Sequence, residues 1–185
     1  DEVVCTVVAK GPDLVWRIAA TPKPGWALFE TRYPLFALNE CLGSTPVDDC
    51  VVMGNSKGGV LRYPMRPGRA YWKERRLGHY PGNLVAQFGC FYDDAGGLYT
   101  AAYDTEAHTK ELLLHRWWRA TLPVGSYRHG DFLFRWSRFG YTEKADAQSY
   151  DIVTRGFAGA DGAPASWYDA ADLYKDWTHR QKWSR

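Results

Sequence analysis

Four acidic residues, Asp93, Asp94, Asp104 and Glu106, flank a short apolar run in FGCFYDDAGGLYTAAYDTEAHTK, Phe88 to Lys110. Paired carboxylates are the machinery of glycoside hydrolysis, where the two groups stand roughly 5–9.5 Å apart. The spacing here argues against such a pair. The residues between read as one strand, so from Gly97 to Asp104 the chain advances roughly 23 Å at about 3.3 Å per residue. Asp94 and Asp104 therefore belong to opposite ends of a strand, and the neighbouring side chains of Asp93 and Asp94 diverge. DDAGG has instead the chemistry of a hairpin, in which Asp and Gly supply the turn and permit positive φ. Asp104 keeps a separate interest. A strand-end carboxylate beside Tyr103 has two uses, to bind sugar hydroxyls or to cap the turn that follows.

The other reactive residue types offer less. GNSKG, Gly54 to Gly58, matches the Gly-x-Ser-x-Gly pattern of a hydrolase nucleophile elbow, which needs a strand, a sharp turn and then a helix. The following GVLRYPMRPG cannot propagate a helix, so Ser56 reads as a hairpin-turn serine. Nor does this segment have the glycine and lysine order of a phosphate loop. His79, His108, His115, His129 and His179 show no paired spacing for metal or for catalysis. The cysteines, Cys5, Cys41, Cys50 and Cys90, lack the close pairs of a zinc site. Cys41 with Cys50 is one possible staple of a loop, and buried free thiols are the alternative. No metal or other cofactor is expected.

Charge is nearly balanced, 23 basic against 21 acidic residues, without the basic bias of a duplex-binding surface. KERR (Lys73 to Arg76) and HRWWR (His115 to Arg119) mix cations with aromatics, and in a β-rich domain they read as solvated strand faces and rims. No nucleic-acid partner is expected. No apolar run approaches the ~20 residues a helix needs to span a bilayer, so no membrane partner is expected either. Aromatic residues make up 16% of the chain, with 9 Trp and 12 Tyr. Such rings suit a β-rich core, and they also cover the apolar faces of sugars.

The elements that position these residues are strands. LVWRIAAT sets Leu14, Trp16 and Ile18 against Val15, Arg17 and Ala19, and DFLFRWSRF sets Phe132, Phe134 and Trp136 against Arg135 and Ser137. This alternation marks half-buried antiparallel strands. Similar runs recur at Val3–Ala9, Trp26–Leu38, Val51–Met53, Val60–Tyr63, Leu84–Tyr92, Leu98–Asp104, Leu112–Leu122 and Tyr150–Phe157, separated by Gly, Pro and Asn turns. About ten short strands predict an antiparallel β-sandwich, or a larger two-sheet version of it, over residues 1–160. Residues 161–185 read differently. After a Gly/Ala/Pro loop, Ser166 and Asp169 form a capping-box pattern, and Trp167, Ala170, Ala171, Tyr174 and Trp177 share one helical face. Such a helix either caps the sandwich or connects it to a following domain. The opening DEVVCTVVAK already reads as a strand, with neither an initiator Met nor a signal peptide, so the sequence reads as cut at its start.

Three segments carry a resemblance: HYPGN (His79 to Asn83), QFGCFYDDAGGLYTAAYD (Gln87 to Asp104) and GFAGADGAPASWYDAADLYKDWTHRQKW (Gly156 to Trp183). Together they resemble the N-terminal galactose-mutarotase-like supersandwich of glycosidase-like proteins, in which a TIM barrel follows. Similar families act on α-galactosides or on α-linked N-acetylgalactosamine. The matching positions are Tyr80–Gly82, Tyr92–Asp93, Gly97–Tyr99, Asp104, and Trp167, Ala170, Ala171, Tyr174 and Trp177. The resemblance implies a mainly β supersandwich with one C-terminal amphipathic helix leading to a barrel that this sequence does not include. The catalytic acids of such enzymes lie on the barrel, so no catalytic residue transfers to this chain. The role implied is that of a non-catalytic domain supporting a glycoside hydrolase barrel and lending a loop to the rim of its sugar cleft. Its partners would be a carbohydrate, met through the parent protein, and a C-terminal catalytic domain of the same chain. Trp72, Tyr80, Asp104, Trp117 and Trp118 are the candidates for sugar contact, and Trp167, Tyr174 and Trp177 for interdomain packing. Two other classes stand beside this reading. One is a stand-alone carbohydrate-binding module, which would not expose that helix face. The other is a sugar epimerase of the mutarotase type, for which His79, His115 and Asp104 are the available acid and base groups.

Overall fold

The computed structural model describes residues 2–39, 41–54, 58–65, 74–117 and 131–184. Two antiparallel sheets pack face to face, as the alternating strand patterns predict. The larger contains β1 (Glu2–Lys10), β2 (Asp13–Thr21), β4 (Cys50–Met53), β5 (Gly59–Arg62), β7 (Phe88–Tyr92), β8 (Gly97–Tyr103), β11 (Asp146–Ala147) and β12 (Asp151–Phe157). Its order is β1-β2-β12-β8-β7-β4-β5, with β11 also paired to β2. The smaller sheet contains β3 (Leu28–Leu38), β6 (Glu74–Tyr80), β9 (Lys110–Trp117) and β10 (Asp131–Thr142), in the order β3-β10-β9-β6. Two strands exceed the sequence expectation. β11 has two residues, too few to show a period, and β6 is ERRLGHY, whose charges obscure one.

The space between the sheets holds the main core. Val51, Phe91, Ala102 and Ile152 from the larger sheet meet Leu112, Leu114, Phe134 and Trp136 from the smaller. A row of rings, Trp16, Phe36 and Phe134, is stacked at centroid separations of 6.3 and 5.9 Å. The Trp136 indole N–H crosses to Thr100 Oγ1 on β8 at 2.8 Å, which satisfies a donor that burial would otherwise leave unpaired.

The helix α1 (Trp167–Thr178) makes a third layer on the outer face of β7 and β8. Ala170 is fully buried there against Cys90, Tyr99 and Ala101. At β7 and β8 the larger sheet is therefore covered on both faces, which explains why FGCFY and LYTAA are almost continuously buried rather than alternating. Ser166 accepts from the Tyr168 N–H while Asp169 accepts from the Ser166 N–H at 2.8 Å, so the predicted capping box is formed. That bond comes first among the causes holding the Asp169 carboxyl below its ordinary range. Ser166→Ala removes the cap and is expected to lower stability by about 1 kcal/mol, read as a shifted urea midpoint with an unchanged slope. Among the described residues no helix is long and apolar enough to cross a membrane.

The DDAGG segment joins β7 to β8 as a hairpin. Asp93 Oδ1 accepts from the Ala95 and Gly96 N–H groups at 2.8 and 2.9 Å. Neither Gly96 nor Gly97 has positive φ, so the need for glycine is steric. A Cβ on Gly97 would lie 2.6 Å from the Phe91 carbonyl and 2.7 Å from the Phe157 ring. Ser56 lies outside the described residues, but the strands on either side of it pair antiparallel, Met53 opposite Gly59, and a strand follows it rather than a helix. All the cysteines are free thiols. Cys50 and Cys90 are buried beneath the helix layer, and burial raises both thiols above their ordinary range.

Candidate functional site

At one end of the larger sheet the chain leaves β8 and enters the tight turn from Asp104 to Lys110. Asp104 organises that turn. Its Oδ1 accepts from the Glu106 N–H at 2.9 Å and meets His108 Nδ1 at 3.0 Å, and its Oδ2 accepts from the His108 N–H at 2.7 Å. Its fourth partner is Lys110, whose ammonium donates to Oδ2 at 2.5 Å. The carboxylate thus has the turn-capping use read from the sequence.

Lys110 is fully buried. Its ammonium also donates to Gln87 Oε1 at 2.8 Å and to the His108 carbonyl at 2.7 Å, and it lies 4.9 and 4.8 Å from the ring centres of Tyr80 and Tyr150. All three of its protons are therefore held, and the two aromatic faces supply further negative potential. Gln87 completes the circuit by donating to the Asp104 carbonyl at 2.8 Å. Burial alone would raise the Asp104 carboxyl. The hydrogen bond from Lys110, with those from Glu106 and His108, outweighs it and holds the group below its ordinary range. Burial lowers the Lys110 ammonium, and Asp104 opposes that shift.

Outside this buried pair lies an open pocket of about 340 Å³. Its lining includes Tyr80 from the end of β6, Gln87 and Asp104 beside β7 and β8, Tyr174 and Thr178 from α1, and Trp183 beyond the helix. The HYPGN turn presents Tyr80, and Gly82 in it has φ +154°, a backbone conformation that favours glycine. Trp183 is 54% exposed and meets Trp177 edge to face at 5.9 Å.

Of the residues predicted to contact sugar, Tyr80 and Asp104 come together in this pocket. Trp72 and Trp118 lie outside the described residues. Trp117 is the last residue of β9, with its backbone opposite Asp131, and nothing further is described of its side chain. The residues predicted for interdomain packing, Trp167, Tyr174 and Trp177, pack within the chain. Trp177 stacks on Tyr103 at 4.8 Å, Tyr174 stacks on Phe88 at 5.3 Å, and Trp167 lines a hollow with Val52, Val85 and Phe88. Of the acid–base candidates, His79 is exposed, and the histidine whose ring meets Asp104 is His108. β6 and β9 are neighbours, with Glu74 of KERR opposite His115 of HRWWR, and Arg75 and Arg76 opposite Leu114 and Leu113. Among the described residues no three His, Cys, Asp or Glu side chains are placed to hold a metal ion.

Sequence reasoning does not single out Lys110 or Gln87. Lys110 shares a strand face with Leu112 and Leu114, both fully buried, but Glu111 and Leu113 on the other face are buried too, so the run of leucines marks a buried strand without an alternation that singles out Lys110. No local pattern marks Gln87 either. Comparison with known proteins adds no relative, since no family model, no curated protein and no solved structure matches this chain.

Proposed function

We propose that this chain is a non-catalytic β-sandwich domain of a larger glycoside hydrolase-like protein. In this reading it supports a catalytic barrel and contributes Tyr80 and Trp183 to the rim of a sugar cleft. One observation carries it. The three sequence segments behind the family resemblance, the third remote from the first two along the chain, all line the same pocket: Tyr80 from the first, Gln87 and Asp104 from the second, Tyr174 and Trp183 from the third. Aromatic walls beside polar groups suit a sugar, whose ring has an apolar face and hydroxyl edges. The chain's own carboxylate at that place is a poor general acid. Its ionised form is stabilised by Lys110 and its oxygens accept from fixed donors, which argues for a supporting role.

The test begins with the denatured mass of the protein as its native source makes it. A mass far above 21.1 kDa is expected, together with hydrolysis of α-galactosides or α-N-acetylgalactosaminides by that longer protein and not by the 185-residue chain. A native mass near 21.1 kDa would overturn the reading. A stand-alone carbohydrate-binding module is the second reading. It is favoured by the packing of Tyr174 and Trp177 inside the chain, which leaves that helix face covered. It requires glycan affinity in the 185-residue chain, lost in Trp183→Ala.

A further inference from the structure

The outer edge of the larger sheet is not protected in the usual ways. β1 pairs with β2 over nine consecutive residues without a bulge, and all nine are exposed. Among the described residues nothing pairs with its other side. Long edge strands are ordinarily blunted by a central lysine, a proline or a bulge, because their free N–H and C=O groups template further pairing. Between Glu2 and Lys10 this strand reads VVCTVVA and carries none of these. Val3, Val4, Val7 and Val8 lie between 44% and 59% exposed, on both faces of the strand. Trp26, 71% exposed, lines a hollow with Val3 and Leu28 and extends the apolar surface towards β3.

The strand is also complementary to itself. With two copies antiparallel about a two-fold axis through Thr6, each Glu2 falls opposite a Lys10, each Val4 opposite a Val8, and each Cys5 opposite a Val7. Moving the axis to Cys5 sets Glu2 against Val8, and moving it to Val7 sets Lys10 against Val4. Only the Thr6 register places opposite charges together at both ends with β-branched residues between, the arrangement that favours cross-strand pairing. We infer that the chain associates with a second copy of itself through β1, joining the two larger sheets into one continuous sheet with its two-fold axis at Thr6. Such an interface is isologous and closes at two copies.

Sedimentation equilibrium of the 185-residue chain over a range of concentrations tests this. A dimer is expected. Glu2→Lys sets like charges opposite one another at both ends and is expected to weaken the dimer about tenfold. Lys10→Glu does the same, and the double exchange Glu2→Lys/Lys10→Glu restores it. The register has its own readout. Paired residues at the axis have Cα atoms about 4.5–5.5 Å apart, within disulfide reach, so Thr6→Cys in a Cys5→Ser background forms a covalent dimer with an added oxidant. Cys5 itself, diagonal to its counterpart at about 7–8 Å, does not. A chain that remains at 21.1 kDa throughout would overturn the inference, as would a dimer indifferent to the charge exchanges or a covalent dimer through Cys5 instead.

Discussion

Asp104→Asn is expected to destabilise the fold by about 3–5 kcal/mol, because it leaves the buried Lys110 ammonium without its counter-charge. The replacement keeps the shape of the side chain, so the loss is electrostatic. Gln87 Oε1 and the His108 carbonyl remain as acceptors, but neither carries charge to offset the desolvation of a fully buried cation. For a chain of this size the change corresponds to a fall in Tm of roughly 6–20 °C. Lys110→Met added to Asp104→Asn removes the orphaned cation and is expected to recover part of the loss. The double variant should thus be more stable than the sum of the single changes, a coupling measurable by urea unfolding of all four proteins. If the two changes simply add, the pair is not the centre of this corner of the fold. The acid limb supplies a second readout. The folded Asp104 carboxyl lies below its ordinary value of 3.8, so its contribution is complete above that value and is lost as pH falls through the folded one. In Lys110→Met the hydrogen bond that opposes burial is gone, and the acid-unfolding midpoint should move to higher pH.

Asp49→Asn should act in the opposite direction and raise stability at neutral pH by about 2–3 kcal/mol. Asp49 is fully buried. Its Oδ1 accepts from the Leu42 N–H at 3.4 Å, while among the described residues its Oδ2 has no hydrogen-bond partner. Burial pushes its carboxyl up to about 6, the Leu42 N–H opposes this weakly, and the negative charges of Asp48 and Asp93 add to the rise. The folded chain therefore keeps this proton up to about pH 6, whereas the unfolded chain releases it near 3.8. Between those values the folded state binds more protons, so this group's stabilising contribution is present at low pH and lost as pH rises through about 6. Asn is neutral at every pH, keeps an acceptor for Leu42 and presents a donor towards the neighbouring carboxylates. Thermal unfolding of both proteins from pH 4 to pH 8 should show the wild type losing ground to the variant across that window. Parallel curves would mean that the Asp49 charge is balanced in the fold.

Features carried by residues close together in the chain, or repeating at a fixed period, are legible in the amino-acid sequence alone. Period-two alternation identifies most strands of a two-sheet β fold, Asp and Gly between apolar runs identify the β7–β8 hairpin, and Ser166 with Asp169 identifies the start of α1. These are local rules of backbone geometry and capping, written into residues a few positions apart. They do not say which sheet face the helix covers. The packing of Tyr174 on Phe88 and of Trp177 on Tyr103 is decided by tertiary structure, because α1 and β8 are joined through a long excursion into the other sheet. The same holds for the candidate site. Asp104 is visible as a strand-end carboxylate, and its partners Glu106, His108 and Lys110 follow it within one turn, but the pocket beside it depends on β6, β7, β8 and α1 meeting at one corner. Lys110 begins a stretch buried on both faces, Glu111 and Leu113 as well as Leu112 and Leu114, so no local alternation singles it out. That Gln87, Tyr80 and Tyr150 join the nearby Asp104 around its charge follows only from the pairing of distant strands, since desolvation and Coulomb energies depend on what is near in space.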